Sequence, residues 1–306
     1  ETVTYTKVGS LVPSSSDGNF PGAPTVVYPN DPSDATKVTP AGVPTVPGYT
    51  AHDPEGHVLT PGSRYQPSDP TKDTTITYTA DKQKGSVSYV DDTTGKTLKT
   101  DSISGTTGSK SSYSTSGSIA DYKKHGYELV TDGYPADLTF DNNDTTDQNF
   151  TVHLKHQLTP VNPTDPQTPG APINPDEPNG PKWPISTNYD KTVNETVSYV
   201  DQNGHVVAKQ HTDSVNFTRT VVVDNVTGEV ITSGAGTTAW TATNGDTTFD
   251  AVVSPVVSGS VANKAQTAAV TDLNADSSDV NETVTYTKVG SLVPSSSDGN
   301  FPGAPT

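Results

Sequence analysis

Short runs of alternating apolar and polar residues, rich in Val, Thr and Tyr, recur along most of the chain. The clearest lie at 74–79, 85–90 and 195–200. A period of two with β-branched and aromatic residues is typical of a half-buried β-strand. The second and third runs each lead into an acidic, polar turn ending in Gly95 or Gly204, and then into another alternating run. Because glycine readily adopts the positive φ of a tight turn, these segments predict two β-hairpins.

One helix is predicted, beginning near Ser118 and ending before Gly126. The sequence Ser-Ile-Ala-Asp from Ser118 resembles a capping box, and Gly126 is a typical C-terminal stop. Tyr122 is expected to face the sheet. Further strand-like segments follow the helix, so residues 84–156 hold a hairpin, a short helix and more strands. That order suits a β-grasp (ubiquitin-like) fold, in which a sheet curls over one helix.

The pentapeptide Val-Ser-Tyr-Val-Asp stands at both 87–91 and 197–201, which predicts two related modules that open with the same hairpin. The second of these is expected to cover 186–290. It holds an apolar run at 217–224, a turn ending in Gly228 and a closing strand near its end. A small β-grasp-like module is predicted over 10–81, partly linker-like at its start. The predicted fold class is therefore mostly β with minor helix, built of tandem β-grasp modules.

Residues 1–25 recur unchanged at 282–306, an offset of 281 positions. An unchanged copy of a Ser- and Pro-rich stretch indicates recent duplication, so the chain is expected to be one period of a tandem array. In that array, residues 1–9 would be the orphan last strand of a preceding repeat, mobile or paired with a foreign edge. Residues 291–306 would begin the next repeat.

Proline stands at every third position from 160 to 184, nine prolines in all. This period matches the three-residue turn of polyproline II. Residues 157–185 are therefore predicted to be a polyproline II linker, in which the stretch from 160 to 184 would reach on the order of 75 Å at about 3.1 Å per residue. We favour a semi-rigid spacer over a PxxP ligand for a partner domain. Modules joined by Pro-rich linkers would make the chain elongated and monomeric.

Composition narrows the possible functions. Only 29% of the residues are hydrophobic, which suits several small modules better than one large core. Cysteine is absent, so another device must stabilise the modules, and an intramolecular Lys–Asn isopeptide bond is one option. The net charge of −17 repels nucleic acid and anionic lipid. No apolar run is long enough to span a bilayer, and export or anchoring signals are expected outside this segment.

Catalytic chemistry has little support in the sequence. Cysteine nucleophiles are excluded, and neither a Gly-x-Ser-x-Gly elbow nor a phosphate loop occurs. His153 and His156, three apart on a strand, would point to opposite faces. His205 and His211 would share a face but have no evident third ligand. We therefore predict that the protein is not an enzyme and that neither histidine pair binds a metal.

One acidic stretch offers oxygen ligands for Ca²⁺, although it lacks the spacing and the glycine of an EF-hand loop. A solvated turn rich in Asp and Asn is the favoured alternative. No other cofactor is predicted. The candidate calcium ligands are Asp141, Asn143, Asp144 and Asp147.

An ordered set of segments resembles the mucus-binding repeat proteins of lactobacilli, which are adhesins built from MucBP-type modules. The segments 27–32, 46–50 and 73–78 look like the module that precedes MucBP, and 84–96, 125–130 and 152–156 are similar to MucBP itself. The larger second domain of such repeats is resembled by 193–197, 217–220, 227–230, Trp240 and 254–259. The sequence departs from the family at Ser260, where the family usually has an aromatic residue. It also departs in the proline-rich segment 160–184, which exceeds the usual spacing between the two domains.

The resemblance implies an extracellular protein on the bacterial surface, anchored to the cell wall elsewhere in the polypeptide, that attaches to host mucin glycoproteins. Some members of the family also bind immunoglobulins, so the resemblance implies these as a second class of partner. A structural stalk that binds nothing itself and projects a distal adhesive domain is the alternative. A glycan-processing enzyme would instead need paired carboxylates about 5–10 Å apart.

Mucin glycans carry negative charge, so a chain of the same sign must bind them through local contacts. Aromatic rings stack on sugar faces, and the candidates are Tyr49, Tyr65, Tyr113, Tyr134 and Trp240, each with core packing as the alternative. Tandem copies would convert weak contacts into avidity. Binding is expected to tighten near pH 4–5 as carboxylates with a pKa of about 4 are protonated.

Overall fold

Strands dominate the computed structural model, which describes residues 1–234 and 236–306. They fall into two units, Glu1–His156 and Gln157–Thr306. Among the described residues, the one α-helix has nine residues, and no helix is long and apolar enough to cross a membrane. The predicted fold class, mostly β with minor helix, is confirmed at this level.

The first module is a mixed sheet in the order β2-β1-β8-β5-β6, with β3 added to β1 and a separate β4–β7 pair. Its first and last strands, β1 and β8, are parallel. The core includes Leu11, Tyr28, Ile76 and Tyr78. The strands are β1 Ser10–Ser15, β2 Gly18–Asn19, β3 Val26–Val27, β4 Ala41–Gly42, β5 Tyr49–His52, β6 Val58–Leu59, β7 Arg64–Tyr65 and β8 Thr74–Ala80.

The second module is a four-stranded sheet in the order β10-β9-β12-β11, with its central pair β9 and β12 parallel. Its elements are β9 Lys82–Asp91, β10 Lys96–Thr106, α1 Ser116–Lys124, β11 Tyr127–Asp132 and β12 Gln148–His156. The hairpin predicted at Gly95 is confirmed, since β9 and β10 pair and Gly95 has φ 75°. Tyr122 packs against the sheet as expected, with its ring 5.7 Å from that of Tyr89.

The predicted start of the helix is wrong by two residues. The helix begins at Ser116 after Thr115, which makes no capping hydrogen bond from its side chain. Thr115 instead donates its hydroxyl to Asp132 at 2.6 Å, so a tertiary contact fixes this end. The predicted end is confirmed, because Gly126 follows the helix with φ 93°.

The second unit contains a five-stranded sheet in the order β18-β15-β14-β20-β19 and a smaller sheet β13-β16-β17. The strands are β13 Leu158–Val161, β14 Asp190–Asp201, β15 Val206–Thr218, β16 Val221–Asp224, β17 Val230–Ile231, β18 Thr241–Ala242, β19 Ser260–Ala262 and β20 Val280–Lys288. The hairpin predicted at Gly204 is confirmed. The apolar run at 217–224 is divided between β15 and β16, which lie in different sheets.

The prediction of a polyproline II linker over 157–185 is wrong. Residues Leu158–Val161 form β13, which pairs with β16, and the following segment folds back through turns. Hydrogen bonds join Gly170 to Trp183 at 3.1 Å and Trp183 to Ala171 at 2.9 Å. The physical reason is the apolar side chains between the prolines. Val161 is buried with Ile173 and Trp183 packed around it, and an extended spacer would leave all of them in water.

The duplicated sequence adopts two structures. In the second copy the first residues form β20, where Tyr286 is 2% exposed, whereas Tyr5 at the same place in the first copy is 83% exposed and lies outside any strand. The later residues behave in the opposite way. The first copy supplies the core strand β1, and the second forms only a small exposed hairpin of β21 Ser295–Ser296 and β22 Gly299–Asn300. Strand partners, not local sequence, decide the conformation.

Candidate ligand-binding site

A cavity of about 230 Å³ opens where the two modules of the first unit meet. Most of its wall comes from the first module, and Asp144 of the second module completes it, so we call it the junction pocket. Its aliphatic wall includes Val46, Val58 and Leu59, and its polar groups include Thr50, Asp81 and Asp144. Tyr49 and Tyr78 supply aromatic surface.

Gly48 allows the two modules to come this close. It has φ 81°, and a Cβ at this position would lie 2.7 Å from Asn142 Cβ and 2.8 Å from Thr107 Oγ1. Its carbonyl accepts hydrogen bonds from the Asp81 amide and the Thr107 hydroxyl, both at 2.8 Å. Glycine is needed here for its conformation and for its lack of a side chain.

Two carboxyl groups face each other at the pocket. Burial raises the pKa of Asp81, the Thr50 hydrogen bond of 2.5 Å opposes the rise, and the hydrogen bond and charge of Asp144 add to it. Gln83, which is buried, donates to Asp144 Oδ1 at 2.6 Å and to Thr107 at 3.1 Å. The charge of Asp144 disfavours ionisation of Asp81, because two adjacent carboxylates repel each other when both are ionised.

Tyr49 is held in place by aromatic packing. Its ring meets Phe20 edge-on at 5.0 Å, and Phe20 stacks on Tyr78 at 4.9 Å. Tyr78 in turn donates its hydroxyl to the Pro44 carbonyl at 2.6 Å. The pocket therefore combines a fixed aromatic and aliphatic wall with a few hydrogen-bonding groups, the combination typical of small-ligand sites.

The remaining tyrosines predicted to contact ligand are half-buried in their modules. Tyr65 packs against the first core. Tyr113 donates to Asp101 at 2.8 Å and shares a 2.5 Å hydrogen bond with Tyr89. Burial and these hydrogen bonds raise the pKa of Tyr113 well above its ordinary value. Tyr134 donates to Ser111 at 2.7 Å, so neither hydroxyl is free.

Trp240 lies in the second unit beside two cations. The Arg219 guanidinium is 4.4 Å from the ring centroid, and Lys191 Nζ is 5.3 Å from it. Arg219 is further fixed by donating to the Asn188 carbonyl at 2.7 Å. Cations over an indole are attracted by its electron-rich face. Trp240 thus has two cations close to the face of its ring.

Two family models match this chain. A mucin binding domain matches residues 83–156, and a Muc B2-like domain matches residues 185–290. The chain is also similar to Mub-RV, whose crystal structure is known. The sequences are 34% identical, the alignment covers 68% of this chain and 100% of that one, and the TM-score is 0.49. It belongs to the Mub family of mucus-binding repeats.

Other solved structures agree with this assignment. The type 2 repeat of the mucus binding protein MUB from Lactobacillus reuteri is 32% identical over 68% of this chain and 100% of that one, with a TM-score of 0.44. The MucBP domain of the adhesion protein from Pediococcus pentosaceus is 35% identical over 32% and 97%, with a TM-score of 0.27. Because these TM-scores are below 0.5, the assignment rests on identity and on the family models. A comparison with curated proteins gave no match.

The calcium candidates of this Mub repeat are engaged in a turn. Asn143 Oδ1 accepts from the Thr145 amide at 3.0 Å and its hydroxyl at 2.9 Å, and Asp141 Oδ1 accepts from the Asn143 amide at 3.1 Å. Asp144 lines the junction pocket, whereas Asp141, Asn143 and Asp147 do not. Calcium binding at this turn stays a prediction.

The four histidines of the two candidate metal pairs each lie close to a different carboxylate. His153 Nδ1 lies 2.8 Å from Asp92 and is half-exposed, whereas His156 Nε2 lies 2.7 Å from Asp91 and is buried. The two rings therefore lie on opposite faces, as the odd spacing predicts. His205 lies 3.4 Å from Asp201, while His211 lies 3.5 Å from Glu195.

The sequence analysis missed several polar residues that matter in this Mub repeat, namely Asp81, Gln83, Arg219 and Glu195. Two of them carry a visible signal. Gln83 and Glu195 each stand at an inward position of an alternating run, in step with Val87 and Val197. A polar residue in phase with the buried face of a strand is the signal that could have found them. Arg219 lies within the run at 217–224 and Asp81 follows the predicted strand at 74–79, and neither shows such a pattern.

Proposed function

We propose that this Mub repeat is an adhesin module of a bacterial cell surface that binds mucus glycoproteins through their glycans. The observation that carries the proposal is the match of residues 83–156 to a mucin binding domain, together with 34% identity to Mub-RV. Tandem copies would raise the avidity of weak single contacts. Anchoring to the cell wall and binding of immunoglobulins stay predictions.

The junction pocket is the proposed glycan site. A sugar ring could stack on the Tyr49 side of the pocket while its hydroxyls donate to the Asp81 and Asp144 carboxylates. Trp240 is the proposed contact for anionic sugars, because Arg219 and Lys191 place positive charge beside its ring. Neither contact needs long-range attraction, which a chain of net charge −17 cannot supply.

We further assign residues 84–156 to the β-grasp class. The support is a first hairpin followed by one helix, with a parallel pair at the centre of the order β10-β9-β12-β11. The helix connects β10 to β11 and packs Ile119 into the core.

A binding role fits the carboxyl pair better than glycoside hydrolysis. Retaining glycosidases hold their two carboxyl groups about 5–5.5 Å apart and inverting ones about 6.5–9.5 Å apart. The Asp81 carboxyl already accepts the Thr50 hydroxyl at 2.5 Å and Asp144 accepts the Gln83 amide at 2.6 Å, so both act as hydrogen-bonding groups of the pocket wall. The families that match this chain are adhesin domains.

The test blocks the pocket without touching the core. Val58 lines the pocket and is exposed, so Val58→Arg is expected to fold normally and to lower the amount of repeat retained on immobilised mucin. Val206→Arg is the matched control. It adds the same charge at an exposed residue, but Val206 lies in the other unit.

Wild-type repeat is also applied to mucin stripped of glycans by glycosidases. Retention is expected to fall with the glycans. Equal retention on stripped mucin would contradict glycan recognition, and equal loss in both arginine variants would contradict the pocket. Absence of any retention by the wild type would favour the alternative of a non-binding stalk.

A further inference from the structure

A glutamate interrupts the apolar face of the five-stranded sheet in the second unit. The inward residues of β14 are Val193, Glu195, Val197 and Tyr199, all buried. Val193 packs in one hydrophobic cluster and Val197 in another, and Glu195 stands between them with 1% of its surface exposed. An apolar residue here would have joined the two clusters.

One oxygen of the Glu195 carboxyl makes no hydrogen bond among the described residues. This oxygen, Oε1, is buried. The imidazole of His211 lies beside it, with Nε2 3.5 Å from that oxygen. Burying a carboxylate without strong partners is costly, so the site favours a further positive group.

Strand register brings two more ligand groups to the same place. Asp213 of β15 is the direct partner of Glu195, and His211 is the partner of Val197. Directly paired residues share a face, so His211 and Asp213 both stand on the Glu195 side of the hairpin. One ligand atom from each of the three residues lies within 4.8 Å of the other two.

We propose that Glu195, His211 and Asp213 bind a divalent transition-metal ion of the Zn²⁺ class. Imidazole nitrogen and carboxylate oxygen are ordinary Zn²⁺ ligands, at about 2.0–2.2 Å from the metal. In a tetrahedral site with such bonds, neighbouring ligand atoms lie about 3.3 Å apart. The 3.5 Å separation between His211 and Glu195 is close to that value and needs little rearrangement. Ca²⁺ is disfavoured because it takes oxygen ligands.

Local charge and access also suit a cation. Glu282 of the neighbouring strand adds a negative group, but Lys264 already pairs with it at 2.8 Å, which leaves Glu195 and Asp213 to be neutralised. Asp213 is exposed and the His211 side chain is 39% exposed. A metal can therefore enter from solvent, and water can complete its coordination.

A second acid and histidine cluster, Asp53, Glu55 and His57, lacks these features. Asp53 Oδ1 already accepts the amides of Glu55 at 3.0 Å and His57 at 2.8 Å, and His57 Nδ1 lies 3.2 Å from Oδ2. These bonds form an exposed turn. The cluster carries no proposal, but it supplies a matched control.

The experiment is equilibrium dialysis of the metal-free chain against Zn²⁺, with metal analysis and a parallel thermal melt. One equivalent is expected to bind, to raise Tm and to persist in excess Ca²⁺. Glu195→Gln and Asp213→Asn are expected to weaken binding by more than about tenfold and to abolish the Tm shift. Asp213 is exposed, so its variant tests the ligand without disturbing the core.

The control His57→Gln is expected to bind Zn²⁺ like the wild type. Loss of binding in this variant would move the site to the exposed turn and overturn the proposal. Absence of a bound equivalent in the wild type would overturn it as well, and so would undiminished binding by both Glu195→Gln and Asp213→Asn. Co²⁺ in place of Zn²⁺ should give the absorption of a tetrahedral site.

Discussion

Asp81 lies at the contact between the two modules of the first unit, and its ionised form is disfavoured there. The Thr50 hydroxyl donates to one of its oxygens, and an amide in place of the other could donate to Asp144. We expect Asp81→Asn to raise the unfolding free energy at pH 7 by about 1 kcal/mol, because it replaces repulsion with a hydrogen bond. Chemical denaturation measures the change.

The same substitution has a definite pH dependence. The pKa of Asp81 is raised in the folded chain above its ordinary value of 3.8. The wild type therefore loses stability as the pH rises from 3.8 through the pKa of the folded state. The advantage of Asp81→Asn should therefore vanish below about pH 4. Asp17→Asn, at an exposed turn, removes the same charge and is expected to change little. An advantage that persisted at pH 3 would contradict the carboxyl contact.

Gly48 offers a second test at the level of one residue. Gly48→Ala is expected to lower the unfolding free energy by about 1–3 kcal/mol, since the residue is left-handed and its Cβ would strike Asn142. Gly18→Ala is the control, because Gly18 has φ 94° but nothing within 4 Å of the added atom. Equal losses in the two variants would show that backbone strain alone is responsible.

Among the elements, β13 decides whether the proline-rich segment is folded. Val161 is fully buried against β16, so Val161→Ala is expected to lower the unfolding free energy of the second unit by about 2 kcal/mol. Leu158→Ala, on the exposed side of the same strand, should cost much less. No effect of Val161→Ala on the melting of this unit would restore the extended linker.

Elements set by local chemistry were predictable from the sequence. The hairpins at Gly95 and Gly204 and the end of the helix at Gly126 follow from turn glycines and alternation. The start of the helix depends on the contact between Thr115 and Asp132, which are distant in sequence. Likewise, β13 exists because of its partner β16, and the repeated segment changes structure with its partners.

The candidate site was predictable only in parts. Tyr49 was proposed for sugar stacking and Asp144 for calcium, and the structure brings both to the junction pocket. Nothing in the local pattern shows that these residues meet, because Gly48 and Thr107 create the contact through the tertiary fold. The proposed metal site at Glu195 had one visible signal, an acidic residue in phase with buried valines.

On the scale of the whole molecule, we expect net charge to control retention on mucin. A charge of −17 opposes binding to anionic glycans, so retention should rise as pH falls toward 4. Several aspartates should contribute less, because hydrogen bonds lower their pKa values below the ordinary value. They are Asp31, Asp34, Asp69 and Asp201.

Retention at constant ionic strength measures this effect. High salt should flatten the pH profile, because it screens charges that lie more than about 10 Å apart at 0.1 M. A fall in retention as the pH is lowered would contradict the electrostatic explanation. It would favour a site that needs its carboxylates ionised.

Each of the three main sheets pairs its first strand in parallel with its last, as β1 with β8, β9 with β12 and β14 with β20. When the chain is pulled from both ends, such neighbours are loaded in shear, so their hydrogen bonds resist together instead of parting one by one. The first pair has four registered residues and the others have seven each. When flowing mucus pulls on the repeat, residues 10–81 should therefore unfold first and relieve the load on the other modules. Single-molecule pulling would record this order of unfolding.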